Sequence, residues 1–178
     1  MGYTFAGCPP ILSYASYARP GCAGFNANVF NVITKYGIDI VILSARWDEL
    51  RQRGLSGLKE TVERLKAQGM TVYVLGQSPM FAFDVAVLDY RGAGKRRDGG
   101  AAWHLSFDPS DNARLRAAGG SAIFIDPLSS FCRARDCEYT SDENLLFGDY
   151  GHFSDAGSDL AVRSYFPLYR REPARDAF

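Results

Sequence analysis

The feature that most constrains this chain is a repeated alternation between short apolar, β-branched runs and longer segments with helical spacing. Apolar runs that predict strands occur at residues 38–45, 71–76 and 122–126, and residues 3–6 (YTFA), with two aromatic side chains, are predicted to form a further strand. The run at 38–45 is apolar enough to be buried on both faces of a parallel sheet. Strands that alternate with helices are typical of right-handed crossover units. The pattern therefore predicts an α/β fold, a three-layer α/β/α sandwich with a mostly parallel sheet.

Capping residues set the expected limits of the helices. Apolar residues recur at helical spacing from Cys22 to Tyr36, and Gly37 follows as a stop signal. A second helix is predicted from a Ser56 cap to about Gln68, and a short one at 110–117. The last helix is predicted to begin near Ser154 and to end at Pro167.

Length and charge limit the class of protein. The 178 residues suffice for one domain with a substantial core, expected over residues 1–170, with 171–178 as a frayed tail. Twenty basic and twenty acidic side chains cancel, which argues against tight binding of nucleic acid or anionic lipid. The basic cluster at 91–100 is interrupted by glycine, so we expect a solvated loop there.

The chain carries no evident targeting or membrane segment. No stretch approaches the roughly 18 apolar residues that a membrane span requires. The start, MGYTFAGCPPIL, lacks the basic region and apolar run of a signal peptide. A mature exported domain and a piece of a longer protein would both begin in this way.

Four cysteines fall in two local pairs. Cys8, Cys22, Cys132 and Cys137 allow three disulfide connectivities, and proximity favours Cys8–Cys22 and Cys132–Cys137. Their spacings are wider than those of zinc-binding Cys pairs, and no histidine flanks a cysteine. Disulfides in an oxidising compartment are therefore favoured over free or metal-bound thiols. We expect neither a metal nor an organic cofactor.

The segment LLFGDYGHFSDAG (145–157) places Asp149 and His152 three residues apart, with Ser154 at the start of the last helix. Imidazole titrates near neutrality and can take the proton of a hydroxyl nucleophile. A carboxylate on the same loop can hold the ring in one tautomer and stabilise the cation. The alternative is a surface His152 in a capping arrangement. By itself, the spacing predicts a catalytic pair only weakly.

Several blocks together resemble the SGNH (GDSL-like) hydrolase superfamily, and within it the periplasmic SGNH domain fused to membrane acyltransferases that O-acetylate bacterial surface polysaccharides. The superfamily keeps its catalytic Asp and His three residues apart in its last sequence block. The matching blocks cover most of residues 3–166 and are GCPPIL (7–12), CAGFN (22–26), IDIVILSARW (38–47), LKETVERLKAQGMTVYVLGQSP (58–79) and FCRARDCEYTSDENLLFGDYGHFSDAG (131–157).

The resemblance implies roles for individual residues. His152 would be the general base and Asp149 its orienting partner. Arg46 occupies the place of an Asn that helps to hold the oxyanion in other members, although a surface ion pair is an equal alternative. Trp47 is expected to pack rather than to stack on sugar. The family also implies a bridge between Cys132 and Cys137 beside the catalytic turn.

One block of the family is absent. The nucleophile belongs to a Gly-Asp-Ser block after the first, central strand, whereas the single Gly-Asp here, at 148–149, precedes Tyr150. The resemblance therefore implies that this strand and its serine lie upstream of Met1, leaving an empty slot in the sheet. Ser44, Ser78, Ser129 and Ser130 lie at probable strand ends, but none is in a glycine-flanked turn. His104 is expected to be packed or solvent-facing rather than a second base.

The leading hypothesis is an SGNH-type acyl-transfer domain for O-acetylation of a bacterial glycan, inactive as this chain alone. Its partners would be a glycan or acyl-ester substrate and a membrane-embedded acyltransferase domain that attaches it to the periplasmic face of the inner membrane. The alternative is a catalytically inactive SGNH-like module that binds a glycan or a membrane partner. An unrelated flavodoxin-like domain is a third hypothesis, but the chain lacks a glycine-rich phosphate loop.

Overall fold

The computed structural model describes residues 2–15, 17–50, 55–95, 100–142 and 144–166. The helices are α1 (Cys22–Tyr36), α2 (Leu58–Ala67), α3 (Val85–Tyr90), α4 (Ser110–Ala118), α5 (Leu128–Phe131) and α6 (Asp155–Tyr165). The strands are β1 (Ile40–Leu43), β2 (Thr71–Leu75), β3 (Ala102–His104), β4 (Ile123–Ile125), β5 (Cys132–Arg133), β6 (Asp136–Glu138), β7 (Thr140–Ser141) and β8 (Asn144–Leu145). None of the helices within these described ranges is long and apolar enough to cross a membrane.

The chain forms two units. The first consists of Met1–Gln77 and Phe107–Asp126, and the second of Ser78–Ser106 and Pro127–Phe178. The expectation of one domain over residues 1–170 stays a prediction. The predicted helix end at Pro167 and the predicted tail lie outside the described residues.

The first unit is built on a parallel sheet with the strand order β1-β2-β4. Each strand lies inside one of the predicted apolar runs, so the α/β fold with a parallel sheet is confirmed. The core lies on one face of this sheet, where buried side chains of α1, α2 and α4 pack against the strands. These are Ile33, Leu58, Val62, Leu65 and Leu115 from the helices, and Leu43, Val72 and Val74 from the strands.

Helix limits follow the capping signals closely, with one exception. Helix α1 has the predicted bounds, and Gly37 ends it in the left-handed conformation at φ 58° that glycine adopts without strain. Helix α2, however, is not capped by Ser56. Its N-cap is Gly57, so no side chain caps the helix. Gly57 packs so closely on Ser13 that a β-carbon at position 57 would overlap the Ser13 side chain. Tertiary packing thus sets this helix start.

Two strand predictions are wrong in an informative way. Strand β1 is not buried on both faces, because Ile40 and Ile42 are 49% and 47% exposed on the face opposite the core. Residues 3–6 do not form a strand. Their aromatic rings instead contact α1, with the rings of Tyr3 and Phe5 centred 4.4 and 5.2 Å from that of Phe25. A β-prone sequence needs a neighbouring strand to pair with, and none lies beside this stretch in the described part of the chain.

The second unit contains two small antiparallel sheets, β3-β6-β5 and β7-β8, which were not predicted. Its interior is rich in aromatic side chains that meet edge-on, tilted or stacked, namely Phe81, Phe131, Tyr139, Phe147 and Phe153. The prediction that α6 begins at Ser154 is confirmed, because the Ser154 hydroxyl accepts from the Gly157 amide at 3.1 Å.

Both disulfides favoured by sequence proximity are present. Cys8 bonds to Cys22 in the first unit, where the bridge ties the N-terminal segment to the first residue of α1. Cys132 bonds to Cys137 in the second unit, across the antiparallel pair β5-β6. Each bridge closes a loop and so restricts the unfolded chain.

Candidate active site

A closed turn between β8 and α6 presents Asp149 and His152. The chain pairs with itself at its base, because Phe147 and Phe153 form an isolated antiparallel bridge and the Gly148 amide donates to the His152 carbonyl at 2.8 Å. The Phe147 ring is buried, and the Phe153 ring lies 5.1 Å from it. The apolar residues that lead into the turn therefore anchor it, while the polar residues at its tip face solvent.

The Asp149 carboxylate organises the tip of the turn. Its Oδ1 accepts from the amides of Gly151 and His152 at 2.8 Å each, and its Oδ2 lies 2.6 Å from Nδ1 of His152. These contacts, first of all the His152 backbone N–H, lower the pKa of Asp149 from its ordinary 3.8 to about 2. The group is therefore an anion at neutral pH, and every contact here stabilises that charge.

The contact with Asp149 also determines which ring nitrogen of His152 acts as a base. An anionic carboxylate only accepts hydrogen bonds, so the Nδ1 atom beside it must carry the proton. In the neutral ring the lone pair then lies on Nε2, the nitrogen that points away from Asp149. The side chain of His152 is 82% exposed, so its Nε2 atom is accessible. This is the orientation that a general base requires.

Arg46 lies in the first unit, just after β1. Its Nε atom contacts Asp48 Oδ1 at 3.3 Å and Glu49 Oε1 at 3.2 Å, and about half of its side chain is exposed. These contacts match the ion-pair alternative from the sequence, and a role at an oxyanion stays a prediction. The expectation for Trp47 is confirmed, because the ring is 4% exposed and its Nε1 donates to the Leu75 carbonyl at 2.7 Å.

A buried amide network, which sequence reasoning missed, fixes the turn that carries Arg46. Gln77 Oε1 accepts from the amides of Trp47 and Asp48 at 2.7 and 3.2 Å. The backbone of Gln77 is held in turn by Asn112, whose Oδ1 accepts from the Gln77 amide at 2.8 Å. Both side chains are at most 5% exposed. In the sequence, the only sign of this network was Gln77 itself, a polar residue directly after an apolar run.

The other site candidates are divided between the two units. Ser44 directly follows β1 in the first unit, whereas Ser78, Ser129 and Ser130 belong to the second, the last two within α5. A nucleophilic role for any of them stays a prediction. His104 is solvent-facing, as expected, and its Nδ1 lies 2.7 Å from Asp136 Oδ1 across β3-β6. His104 and Asp136 thus form a second His–Asp pair. In the described ranges, however, no backbone amide is seen to donate to the Asp136 carboxylate.

The first unit also contains a cavity of about 440 Å³ beside β1. One wall is the β1 side, from Val41 and Leu43 to Ser44 and Arg46. The N-terminal segment and residues of α1 and α2 also line the cavity. The cavity thus runs along the sheet to the residues that follow its first strand.

The chain combines a parallel α/β sheet, two local disulfides and a turn in which a carboxylate contacts an imidazole. The chain belongs to the SGNH domain family of the type fused to AT3 domains, whose family model matches residues 1–167. No curated protein gives a significant match.

A similar solved structure supports this fold. It is the periplasmic domain of a lipopolysaccharide acetyltransferase from Salmonella ser. Paratyphi A, with a TM-score of 0.67. The similarity covers 91% of this chain and 69% of that one at 16% sequence identity.

Proposed function

We propose that this protein takes part in acyl transfer to a hydroxyl group of a bacterial surface glycan, with His152 as general base and Asp149 as its orienting partner. The observation that carries the proposal is the 2.6 Å contact between Asp149 Oδ2 and His152 Nδ1. It leaves Nε2 as the basic nitrogen and places an anion where positive charge develops on the ring. Family membership supports the chemistry, because these domains are fused to AT3 acyltransferase domains.

The reaction would proceed in two displacements at a serine. His152 Nε2 takes the serine proton as the oxygen attacks the acetyl carbonyl, and the resulting imidazolium returns that proton to the leaving group of the donor. In the second half, Nε2 takes the proton of a sugar hydroxyl as this oxygen attacks the acetyl-serine. The serine oxygen then regains a proton from the imidazolium. Asp149 stays an anion throughout and stabilises each imidazolium.

We propose that the nucleophile is not one of the serines of these 178 residues, because they contain no Gly-Asp-Ser sequence. We therefore propose that the chain by itself does not catalyse the transfer. Arg46 is proposed as a donor to the oxyanion, acting from the turn that Gln77 holds. This role requires the guanidinium to leave or share its contacts with Asp48 and Glu49.

We propose a periplasmic location, with attachment to the inner membrane through a membrane-embedded acyltransferase domain. Two disulfides are compatible with an oxidising compartment, and the similar solved structure is a periplasmic domain. The acceptor would be a polysaccharide exposed on that side of the membrane.

The test uses the protein expressed from its complete natural gene in its own bacterium, with the O-acetyl content of the surface polysaccharide measured by mass spectrometry. His152→Ala and Asp149→Asn are expected to abolish O-acetylation. His104→Ala and Asp136→Asn, which remove the other exposed His–Asp pair, are the matched controls and are expected to retain it. Full O-acetylation in the His152→Ala strain, or none lost on deletion of the gene, would overturn the proposal.

A second candidate is an inactive module that binds a glycan, which the missing Gly-Asp-Ser favours. It predicts that the 178-residue chain binds the purified polysaccharide in calorimetry and does not hydrolyse p-nitrophenyl acetate. It also predicts that O-acetylation in the cell survives the loss of His152. This last result separates the two functions.

A further inference from the structure

The turn between β8 and α6 carries a tyrosine next to the proposed base. Tyr150 lies between Asp149 and His152 in the sequence, and the centre of its ring is 6.3 Å from that of the imidazole, at an interplanar angle of 69°. Tyr150 is partly exposed, and the His152 side chain is 82% exposed. A sugar whose hydroxyl group reaches His152 is therefore wide enough to contact the Tyr150 ring as well.

The backbone on either side of this ring is held by the neighbouring segment. The Phe81 amide donates to the Tyr150 carbonyl at 2.8 Å, so residues 80–83 lie along the turn. Gly151 packs on Met80, whose Cγ atom would lie 3.0 Å from a β-carbon at position 151. A change of the Tyr150 side chain leaves the backbone hydrogen bond in place. The role of the ring can therefore be tested separately from the shape of the turn.

A second aromatic side chain extends the surface at Tyr150. Phe83 is 52% exposed, whereas Phe81 is buried and its ring contacts that of Phe147. Two residues of chain span at most about 7 Å, so Phe83 lies close to the point where Phe81 bonds to the turn. We call Tyr150 and Phe83 the acceptor platform.

The charged side chains beside the platform are acidic. Residues 78–90 and 145–157, the two segments that meet here, contain no lysine or arginine. Asp84 and Asp155 are exposed, and Asp149 is an anion at neutral pH. A carboxylate or phosphate on an incoming ligand would meet charges of its own sign and find no cation on either segment. This surface therefore favours a neutral ligand.

We propose that the acceptor platform binds the sugar residue that receives the acyl group, and that this residue is a neutral pyranose with an apolar face. Such a face consists mainly of C–H groups, which pack on an aromatic ring, while the hydroxyl groups project from the rim of the sugar. Tyr150 holds the reacting sugar beside Nε2 of His152, and Phe83 contacts the next sugar of the polymer. The inference rests on the proposed function and deepens it, because it names the class of acceptor.

The test measures binding of the acceptor apart from acyl transfer. The probe is the oligosaccharide repeat released from the surface polysaccharide of the same bacterium after its O-acetyl groups are removed, and the protein is the purified product of the complete natural gene. Saturation-transfer NMR is expected to show contact with the C–H groups on one face of one neutral sugar. Tyr150→Leu keeps an apolar side chain but loses the flat ring, and is expected to raise the dissociation constant about tenfold. Tyr150→Phe keeps the ring and is expected to bind as the unmodified protein does.

Two controls separate this inference from the proposed function. Tyr90→Leu removes a tyrosine that is 91% exposed at the opposite end of α3 from Phe83, and is expected to change neither binding nor O-acetylation. His152→Ala is expected to bind the oligosaccharide normally and to lose O-acetylation. O-acetylation that survives in His152→Ala contradicts the proposed function, whereas unchanged affinity in Tyr150→Leu contradicts the platform alone.

Two further results would overturn the platform. One is an O-acetyl group on an acidic sugar residue that disappears when the gene is deleted, because the acceptor would then be charged. The other is a change in the tautomer of His152 in the nitrogen-15 NMR spectrum of Tyr150→Leu. The ring would in that case act by orienting the base and not by contacting the sugar.

Discussion

Replacing Asp149 by asparagine tests the proposed orientation of His152 with almost no change in shape. The side-chain oxygen of the new asparagine can still accept from the Gly151 and His152 amides, as Asp149 Oδ1 does at 2.8 Å. Its amide nitrogen, however, would stand where Oδ2 now lies 2.6 Å from Nδ1 of His152. Because an amide nitrogen only donates, Nδ1 must become the acceptor, and the ring proton must move to Nε2.

The energetic and chemical consequences differ in size. A hydrogen bond to a charged group contributes about 1.5–3 kcal/mol when desolvated. Here the side chains are 37% and 82% exposed, so solvent screening reduces the loss of unfolding free energy to about 1 kcal/mol or less. The change of tautomer, by contrast, is complete and removes the base from Nε2, because its lone pair becomes an N–H bond. Stability should thus hardly change while basic function is lost.

The assay is nitrogen-15 NMR of the imidazole rings at mildly alkaline pH, above the range in which a free imidazole takes up a proton. The chain has only two histidines, so the spectrum is simple. In the unmodified chain the proton of His152 is expected on Nδ1, and in Asp149→Asn on Nε2. Asp136→Asn should do the same to His104 and leave His152 unchanged. An Nε2 proton in the unmodified chain, or an unaltered tautomer in Asp149→Asn, would refute the reasoning.

Three further predictions concern stability. The pKa of Asp149 is lowered from 3.8 to about 2, so its charge stabilises the fold fully above pH 3.8, and this stabilisation is lost as the pH falls to about 2. Over this range, the free energy of unfolding in urea should therefore fall by about 1 kcal/mol less in Asp149→Asn than in the unmodified chain, after solvent screening. Ser154→Ala should lower the unfolding free energy by about 1–2 kcal/mol by removing the α6 cap, whereas Gly157→Ala should cost more, since its β-carbon would overlap backbone; equal effects in thermal melts would contradict this. The double variant Cys8→Ala/Cys22→Ala should lose about 3 kcal/mol, because the bridge closes a separation of 14 residues; an unchanged urea midpoint would count against it.

The sequence by itself determined the features that depend on neighbouring residues. The three apolar runs predicted three parallel strands because burial selects β-branched residues there. Gly37 and Ser154 predicted helix ends because a cap acts within one turn of the helix. Asp149 and His152 meet because a short turn cannot place residues three apart far from each other. The cysteine pairs formed for the same reason of proximity.

Only the tertiary structure decided what depends on partners distant along the chain. Residues 3–6 and β1 have similar β-branched or aromatic character, but only β1 has a strand to pair with in the described part of the chain. Gln77 orders the turn at Trp47 from 30 residues away, and no local pattern encodes that contact. A β-prone segment forms a strand, and a polar side chain orders a distant turn, only when the fold supplies a hydrogen-bonding partner.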